Sequence, residues 1–293
     1  MSALICGSLA FDTIMSFEGR FADQILPDQL HILNVSFLVP QLRRDFGGCA
    51  GNIAYALKLL GGTPLPMATL GTDSSEYMAR LQKLGISTEF VHTVDHTMTA
   101  QAMIMTDRDN NQITAFHPGA MSFANQIKVQ ARDDIKLAIV SPDGRDAMIE
   151  HAEQLAHAKI PFVFDPGQGL PMFNGVELAK FIGEATWVTV NDYEGKMLSE
   201  RTGWDFAEIS KQVEGLVVTL GSQGCEVWVA GEKTWIAPEV AKQVVDPTGC
   251  GDAWRGALLF GLEQGWSLAK CAELGNKIGA IKIASKGPQN YTL

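Results

Sequence analysis

The chain has no Cys-x-x-Cys pair, and its five cysteines, at positions 6, 49, 225, 250 and 271, are odd in number and widely spaced. Neither a disulfide framework nor a thiolate zinc site is indicated, and a reducing cytoplasm is the expected compartment. It also lacks a basic run. With 33 acidic against 23 basic residues and a formal charge of −10, nucleic acid and anionic membranes are poor partners, so any phosphate site must be local. No uncharged stretch approaches the ~20 residues of a membrane span, and residues 1–8 carry neither the basic nor the apolar segment of an export signal; insertion and export are not expected. Internal repeats, low-complexity tracts and linkers are missing. So is Gly-x-x-x-x-Gly-Lys-Ser/Thr, which excludes a Walker-type phosphate loop, since Gly195-Lys196 lacks the context. The first strand, Leu4 to Gly7, is not followed by Gly-x-Gly-x-x-Gly, which argues against a hydride-transferring dinucleotide enzyme.

What is present is a chain of 293 residues, long enough to bury a substantial core as one large domain or a domain with an appendage. Apolar runs of strand length alternate with amphipathic helical stretches, the pattern of a parallel sheet covered on both faces. Strands are expected at Ala3–Gly7, Met67–Leu70, Leu137–Ser141, Pro161–Phe164, Thr186–Val190 and Leu216–Leu220, with helices such as Ile53–Leu60 and Ser74–Leu84 between them. Two stretches break the rhythm. Phe11–Phe46 has little periodicity. Thr88–Phe116 reads as a β-hairpin, with strands at Thr93–Met105 and Gln112–Phe116 flanking Asp107-Arg108-Asp109-Asn110-Asn111. These two excursions could pair as a small sheet covering a cleft, which would be a lid.

Asp246-Pro247-Thr248-Gly249-Cys250-Gly251-Asp252 leads into an apolar helix at Ala253–Leu262. The amides of that helix's first turn lack intrahelical partners, the macrodipole is positive there, and glycine lets an anion approach the backbone. Asp252 has no acidic neighbour in the turn and can face a substrate hydroxyl; the alternative is a glycine turn with Asp252 as a capping residue. Gly47-Gly48-Cys49-Ala50-Gly51-Asn52 makes a second small-residue junction before a helix, with Asn52 as N-cap in the plainer reading. Ser8 and Asp12 lie beyond the C-terminal end of the first strand, the edge at which open α/β sheets bind ligands, although Asp12 could equally be a solvated loop acid. Asn191-Asp192-Tyr193-Glu194 opens a helix with acids, as the macrodipole favours. Thr219-Leu220-Gly221-Ser222-Gln223-Gly224 is a strand end followed by a glycine turn, which a simple hairpin would also explain.

Together these segments resemble the ribokinase-like (PfkB) carbohydrate and nucleoside kinases. The glycine junctions at 47–52 and 246–252 match that family's two signatures, about 200 residues apart, with Cys250 standing where a smaller residue is usual. The resemblance implies a three-layer α/β/α ribokinase-like domain over residues 1–293, with a β lid from about 11–46 and 88–118. It assigns Asp252 as catalytic base and Gly249, Cys250 and Gly251 as the anion hole. It places Asn191, Thr219, Gly221, Gly224 and Asn276 along ATP, Glu194 on Mg2+ through water, and Asp246, Thr248 and Gly287 around K+. Lys286 and Gln289 fall in the same C-terminal region, aligned only loosely.

Gly19-Arg20-Phe21, Leu26-Pro27, Ser36-Phe37-Leu38-Val39, Phe116-His117-Pro118-Gly119-Ala120-Met121-Ser122, Asn191-Asp192-Tyr193-Glu194 and Thr202-Gly203-Trp204 extend the resemblance to bacterial adenosine kinases of the mycobacterial type, over nearly the whole chain. On that likeness Ser8, Asp12, Ser36, Gly48 and Asn52 hold the ribose, while Phe116 stacks on the base and Gln168 hydrogen-bonds to it. Ala102, Gly169 and Met172 depart from the pattern, replacing an aromatic, a glutamine and an arginine. The implied reaction is transfer of the γ-phosphoryl group of ATP to the 5′-hydroxyl of adenosine, giving AMP for purine salvage. A sugar kinase acting on ribose or a ketose, a broad-specificity nucleoside kinase and a silent nucleoside-binding regulator remain open. A homodimer through the exposed edges of the lid is a further expectation.

Overall fold

The structure is a computed structural model and describes residues 2–109 and 111–293. In chain order the strands are β1 Ser2–Cys6, β2 Ala10–Ser16, β3 Gln41–Gly47, β4 Pro64–Leu70, β5 Val91–Thr93, β6 Ala100–Thr106, β7 Gln112–His117, β8 Ile135–Val140, β9 Phe162–Phe164, β10 Trp187–Asn191, β11 Gly215–Thr219, β12 Cys225–Val229 and β13 Glu232–Ile236. The helices are α1 Phe21–Gln24, α2 Cys49–Leu59, α3 Ser75–Lys83, α4 Arg145–His157, α5 Gly175–Glu184, α6 Asp192–Thr202, α7 Phe206–Ser210, α8 Cys250–Glu263 and α9 Leu268–Lys282.

Nine strands form one sheet in the order β13-β12-β11-β10-β9-β8-β1-β4-β5. The pairings from β5 to β11 are parallel, and β12 and β13 close one edge as antiparallel strands. Alternation of side chains along each strand divides the core in two. Ala3, Ile5, Ile139 and Val217 face Ile53 and Leu258 on one side, whereas Leu4, Val140, Val188 and Leu216 face Leu155, Leu178 and Leu198 on the other. This is the three-layer α/β/α arrangement. Among the described residues no helix is long and apolar enough to cross a membrane, and all five cysteines are free.

A second sheet, ordered β3-β2-β6-β7, is built from the two excursions. The segment with little periodicity contains β2 and β3, because both strands carry polar residues on the same face as apolar ones and neither reads as a clean alternation. The hairpin β6–β7 is closed at Asp107, whose Oδ1 accepts the amides of Asp109 (2.9 Å) and Asn111 (2.8 Å); Asn110 lies outside the described residues. One element differs from expectation. The stretch 93–105 is not a single strand: β5 joins the edge of the large sheet, and β6 starts seven residues later in the small one.

The helix after the first glycine junction also begins earlier than its apolar run, at Cys49 rather than Ile53. Its first amides are satisfied from the β1–β2 connection, where Ser8 Oγ accepts Cys49 N–H (3.2 Å) and Ser8 O accepts Ala50 N–H (3.0 Å). Asn52 is therefore not the N-cap, which is Gly48, but a buried residue of the first turn. Helix α2 packs closely on α8 at Gly256, where an added Cβ would lie 2.5 Å from Ala56 Cβ and 2.9 Å from Ile53 O. That close approach brings the N-terminal turns of the two helices together.

Candidate active site

Asn52 and Asp252 meet where α2 and α8 begin. Asn52 Nδ2 donates to Asp252 Oδ2 at 2.8 Å. The orientation of the amide is fixed from behind: Asn52 Oδ1 accepts from Gln289 Nε2 (3.0 Å), which also donates to Tyr77 Oη (3.0 Å), and Tyr77 in turn donates to Gly47 O (2.7 Å). With its oxygen committed, Asn52 can present only N–H groups to the carboxylate. Gln289 thus buttresses this cluster from behind.

The turn at the start of α8 has an anion-binding geometry. Gly249 is the N-cap with φ of 75°, a left-handed conformation that suits glycine, and an added Cβ would lie 2.6 Å from Pro288 Cβ. Cys250 N–H is taken by Pro247 O (3.1 Å). Among the described residues no acceptor meets the amides of Gly249, Gly251 and Asp252. Three unpaired amides are thus left at the positive end of a 14-residue helix, where an anion could be received, while the Cys250 N–H is already engaged.

Behind the turn lies an ion pair that sequence reasoning missed. Arg255, buried in the first turns of α8, makes a fork to Asp165 at the end of β9, with Nε–Oδ2 at 2.9 Å and Nη2–Oδ1 at 2.8 Å. Its Nη1 also donates to Gly251 O (3.4 Å), and Nη2 lies 3.9 Å from Glu194 Oε2. Such bidentate pairs are geometrically rigid, so the guanidinium holds the glycine turn and supplies positive charge beneath it. The one available signal was a lone cation inside the apolar run 253–262.

The acids of the site are mutually coupled. Burial pushes the Asp252 carboxyl up to about 6, against the Asn52 hydrogen bond and the Arg255 charge, with Asp165 adding repulsion. Asp252 therefore has acidic neighbours in space that the turn itself did not show. Asp12, on β2, is raised to about 6 by burial and then by the charges of Asp45, Asp252 and Asp246. Its carboxylate covers the bare Cα of Gly47, where an added Cβ would lie 2.3 Å from Oδ2. Across the small sheet Asp45, Asp12, Ala102 and Phe116 are paired in register, so their side chains project from one face. Phe116 is half exposed, and Ala102 leaves a gap between ring and carboxylate. Gly48 is brought to the same junction. Ser36 and Gln168 are exposed and make no hydrogen bond to this group among the described residues. Ser36 sits beside Phe37, whose ring packs edge-on against Phe17 and Phe21.

On the other side of the turn is a cavity of about 500 Å3 lined by Thr219, Gly221, Gly224, Cys250, Gly251 and Asn276, among others. Four residues expected along the nucleotide thus share one cavity with the anion turn. Asn276 is spent structurally, accepting from Trp254 Nε1 (3.1 Å) and donating to Ala237 O (2.8 Å). Asn191 and Glu194 cap α6 reciprocally, Asn191 Oδ1 accepting Glu194 N–H (2.7 Å) and Glu194 Oε2 accepting Asn191 N–H (2.8 Å), which accounts for the motif locally. Burial, then Asp165, raises the Glu194 carboxyl, and Arg255 opposes the rise. Among the described residues no three acidic, histidine or cysteine side chains converge on a point. One half-buried carboxylate with a free oxygen, that of Glu194, fits a magnesium ion held mainly by phosphates and water.

The predicted cation residues are tied together by protein groups. Asp246 accepts Thr248 N–H at Oδ1 (2.9 Å), and at Oδ2 both Gly287 N–H (2.9 Å) and Arg43 Nη2 (2.9 Å). Arg43 also pairs with Asp45 (2.9 Å). The Asp246 carboxyl is lowered to about 2, because the hydrogen bonds from Gly287 and Thr248 and then the Lys282 charge outweigh its burial.

A three-layer α/β/α body with a glycine turn opening a helix at the C-terminal edge of its sheet, beside a small β-sheet, defines a ribokinase-like fold. Residues 18–293 match the sequence profile of the pfkB family carbohydrate kinases, and the chain belongs to that family. It is similar to the Burkholderia thailandensis nucleoside kinase, solved in complex with inosine: 52% identity, 99% of this chain and 93% of that one covered, TM-score 0.89. The same protein solved in complex with ADP-inosine superposes with a TM-score of 0.87 at 53% identity, covering 99% of this chain and 92% of that one. The Methanocaldococcus jannaschii nucleoside kinase is 29% identical over 292 residues, 99% of this chain and 93% of its own length. These relatives carry the broader name of nucleoside kinase, which narrows the finer resemblance to adenosine kinases back to the family.

Proposed function

We propose that the protein is an ATP-dependent nucleoside kinase of broad base specificity, transferring the γ-phosphoryl group to the 5′-hydroxyl of purine nucleosides, adenosine among them. The observation that carries this reading is the Asn52–Asp252 hydrogen bond of 2.8 Å. It joins the glycine junction beside the small sheet to the turn that opens on the nucleotide-sized cavity, so acceptor and donor meet at one carboxylate. The inosine bound to the Burkholderia enzyme, at 52% identity, supports a purine nucleoside as acceptor.

In this reading Asp12 receives hydrogen bonds from the ribose 2′ and 3′ hydroxyls over Gly47 and Gly48, with Ser8, Ser36 and Asn52 around the sugar. The base lies over Ala102 against Phe116, an aromatic face that suits any purine, with Gln168 at its edge. Alanine at 102 leaves room that a second aromatic would fill, which favours breadth over strict adenosine selectivity. The 5′-oxygen attacks the γ-phosphorus as the bond to the β,γ-bridging oxygen breaks. The hydroxyl proton passes to Asp252 and ADP leaves. A carboxyl that titrates at about 6 is a better base near neutral pH than an ordinary aspartate. The amides of Gly249, Gly251 and Asp252 hold the equatorial oxygens of the moving group, where positioning and charge neutralisation supply most of the catalysis. Magnesium, placed by Glu194 through water, would neutralise charge on the β and γ phosphates. The small sheet closes over the acceptor and excludes water.

The test is a substrate panel. Purified protein with ATP and magnesium is expected to form 5′-monophosphates from inosine, adenosine and guanosine, and no phosphate ester from ribose or fructose. Phosphorylation of the free sugars with the nucleosides inert would replace this reading by a sugar kinase.

A further inference from the structure

Lys282 ends α9 and is fully buried. Among the described residues no carboxylate forms a salt bridge with it. Its Nζ instead donates to two backbone carbonyls, Asp246 O at 2.7 Å and Ser285 O at 3.4 Å. A buried ammonium costs several kcal/mol unless its donors and charge are answered; here carbonyl dipoles and the negative end of α9 take its donors, and the nearby Asp246 and Asp45 charges favour the ammonium against burial and the Arg43 charge. The same helix end grips the loop a second way, since Ile283 O accepts the amides of Val245 (2.9 Å) and Asp246 (3.1 Å). Asp246 then leads within three residues to Gly249, the N-cap of the anion turn. Lys282 therefore stands beneath the phosphate-binding turn, bridging oxygens of the 246–248 segment and the 285–287 segment.

Carbonyls from these two segments are what a diffusible monovalent cation would need there. The structure does not fit that expectation, because a charged amine already holds Asp246 O, and the Asp246 carboxylate is saturated by Thr248, Gly287 and Arg43. We propose that the Lys282 ammonium is a tethered replacement for the monovalent cation, so that this chain acts without potassium. The inference rests on the kinase reading for its activity measurements and on the fold alone for its binding measurement. An –NH3+ group has three donors and the charge of a potassium ion. Being covalently attached, it keeps the 246–249 loop in its anion-binding shape at any salt composition.

The experiment compares wild type and Lys282→Met in chloride buffers of N-methyl-D-glucamine, sodium, potassium, ammonium and methylammonium at constant ionic strength, reading both turnover and Tm. Wild-type turnover and Tm are expected to be the same in all five. Lys282→Met is expected to lose about 100-fold or more in kcat without a small cation, the scale of losing a preorganised electrostatic group. It should recover in potassium or ammonium, and its Tm should rise with those ions as a bound ligand requires. Potassium activation or a potassium-dependent Tm rise in the wild type would overturn the proposal, and that measurement stands even if the variant does not fold. A folded variant that ignores every cation would overturn it as well, leaving Lys282 a purely structural residue. If neither protein phosphorylates any acceptor, the kinase reading fails separately, and the Tm comparison still decides the cation question.

Discussion

Replacing Asp252 by asparagine should separate catalysis from stability in opposite directions. The carboxyl is raised to about 6 chiefly by burial. An unfolded aspartate titrates near ~4, and each tenfold in acidity is worth about 1.4 kcal/mol, so ionised Asp252 costs the fold roughly 3 kcal/mol. The sign follows from the direction of the shift. A raised folded value means that this group's contribution to stability is fully present below pH ~4, declines as pH rises through 6, and is least above it. Asn52 Nδ2 can donate to an asparagine oxygen as it does to Asp252, so the variant keeps that contact and removes the charge. Denaturant unfolding of the ligand-free protein at pH 8 should show Asp252→Asn more stable than wild type by ~1–3 kcal/mol, with the difference vanishing near pH 4. Turnover should fall by about 100-fold to 10,000-fold, the usual worth of a positioned general base. A variant within tenfold of wild-type turnover, or one destabilised equally at both pH values, would refute the reasoning.

Four further outcomes follow from the same geometry. In wild type, kcat/KM should fall as pH drops through about 6, with a slope steeper than one proton, because Asp12 and Asp252 both titrate there; a pH profile limited by one proton near pH 4 would contradict this. Arg255→Gln should destabilise by ~3–5 kcal/mol by stranding the buried Asp165 charge, and adding Asp165→Asn should recover part of that loss in the double variant. Gly249→Ala puts a side chain on a backbone with φ of 75° and 2.6 Å from Pro288, and kcat should drop by about 100-fold as the amides move, with nucleoside KM little changed. Phe116→Ala should raise nucleoside KM by roughly tenfold while sparing kcat, since base stacking contributes ~1–3 kcal/mol.

The two glycine junctions were legible because each is a local signal, small residues immediately before an apolar helix, and each maps to a helix start in the fold. The alternation of strands and helices likewise gave the large sheet, since strands such as Leu137–Ser141 and Leu216–Leu220 carry their burial within a few consecutive residues. What stayed hidden depends on partners far apart in sequence. Arg255 meets Asp165 across 90 positions, and Lys282 reaches Asp246 across 36. No local pattern announces either pair, although a single cation within an apolar helix was a usable clue for Arg255; Lys282 is one of three lysines in α9 and carried no such mark. The early start of α2 was hidden for a related reason: its first amides are satisfied by Ser8, from another element. Asn276 and Asn191 matched a family pattern, yet the structure spends both side chains on neighbouring residues.

The central claim is that one carboxylate joins an acceptor pocket to a phosphate-binding turn. The most direct measurement is a crystal structure of the protein with a purine nucleoside and a non-hydrolysable ATP analogue. The account predicts the 5′-oxygen within about 2.6–3.2 Å of Asp252, with the γ-phosphoryl oxygens on the amides of Gly249, Gly251 and Asp252. A nucleoside bound with its 5′-hydroxyl turned away from Asp252, or an analogue whose phosphates avoid that turn, would contradict it.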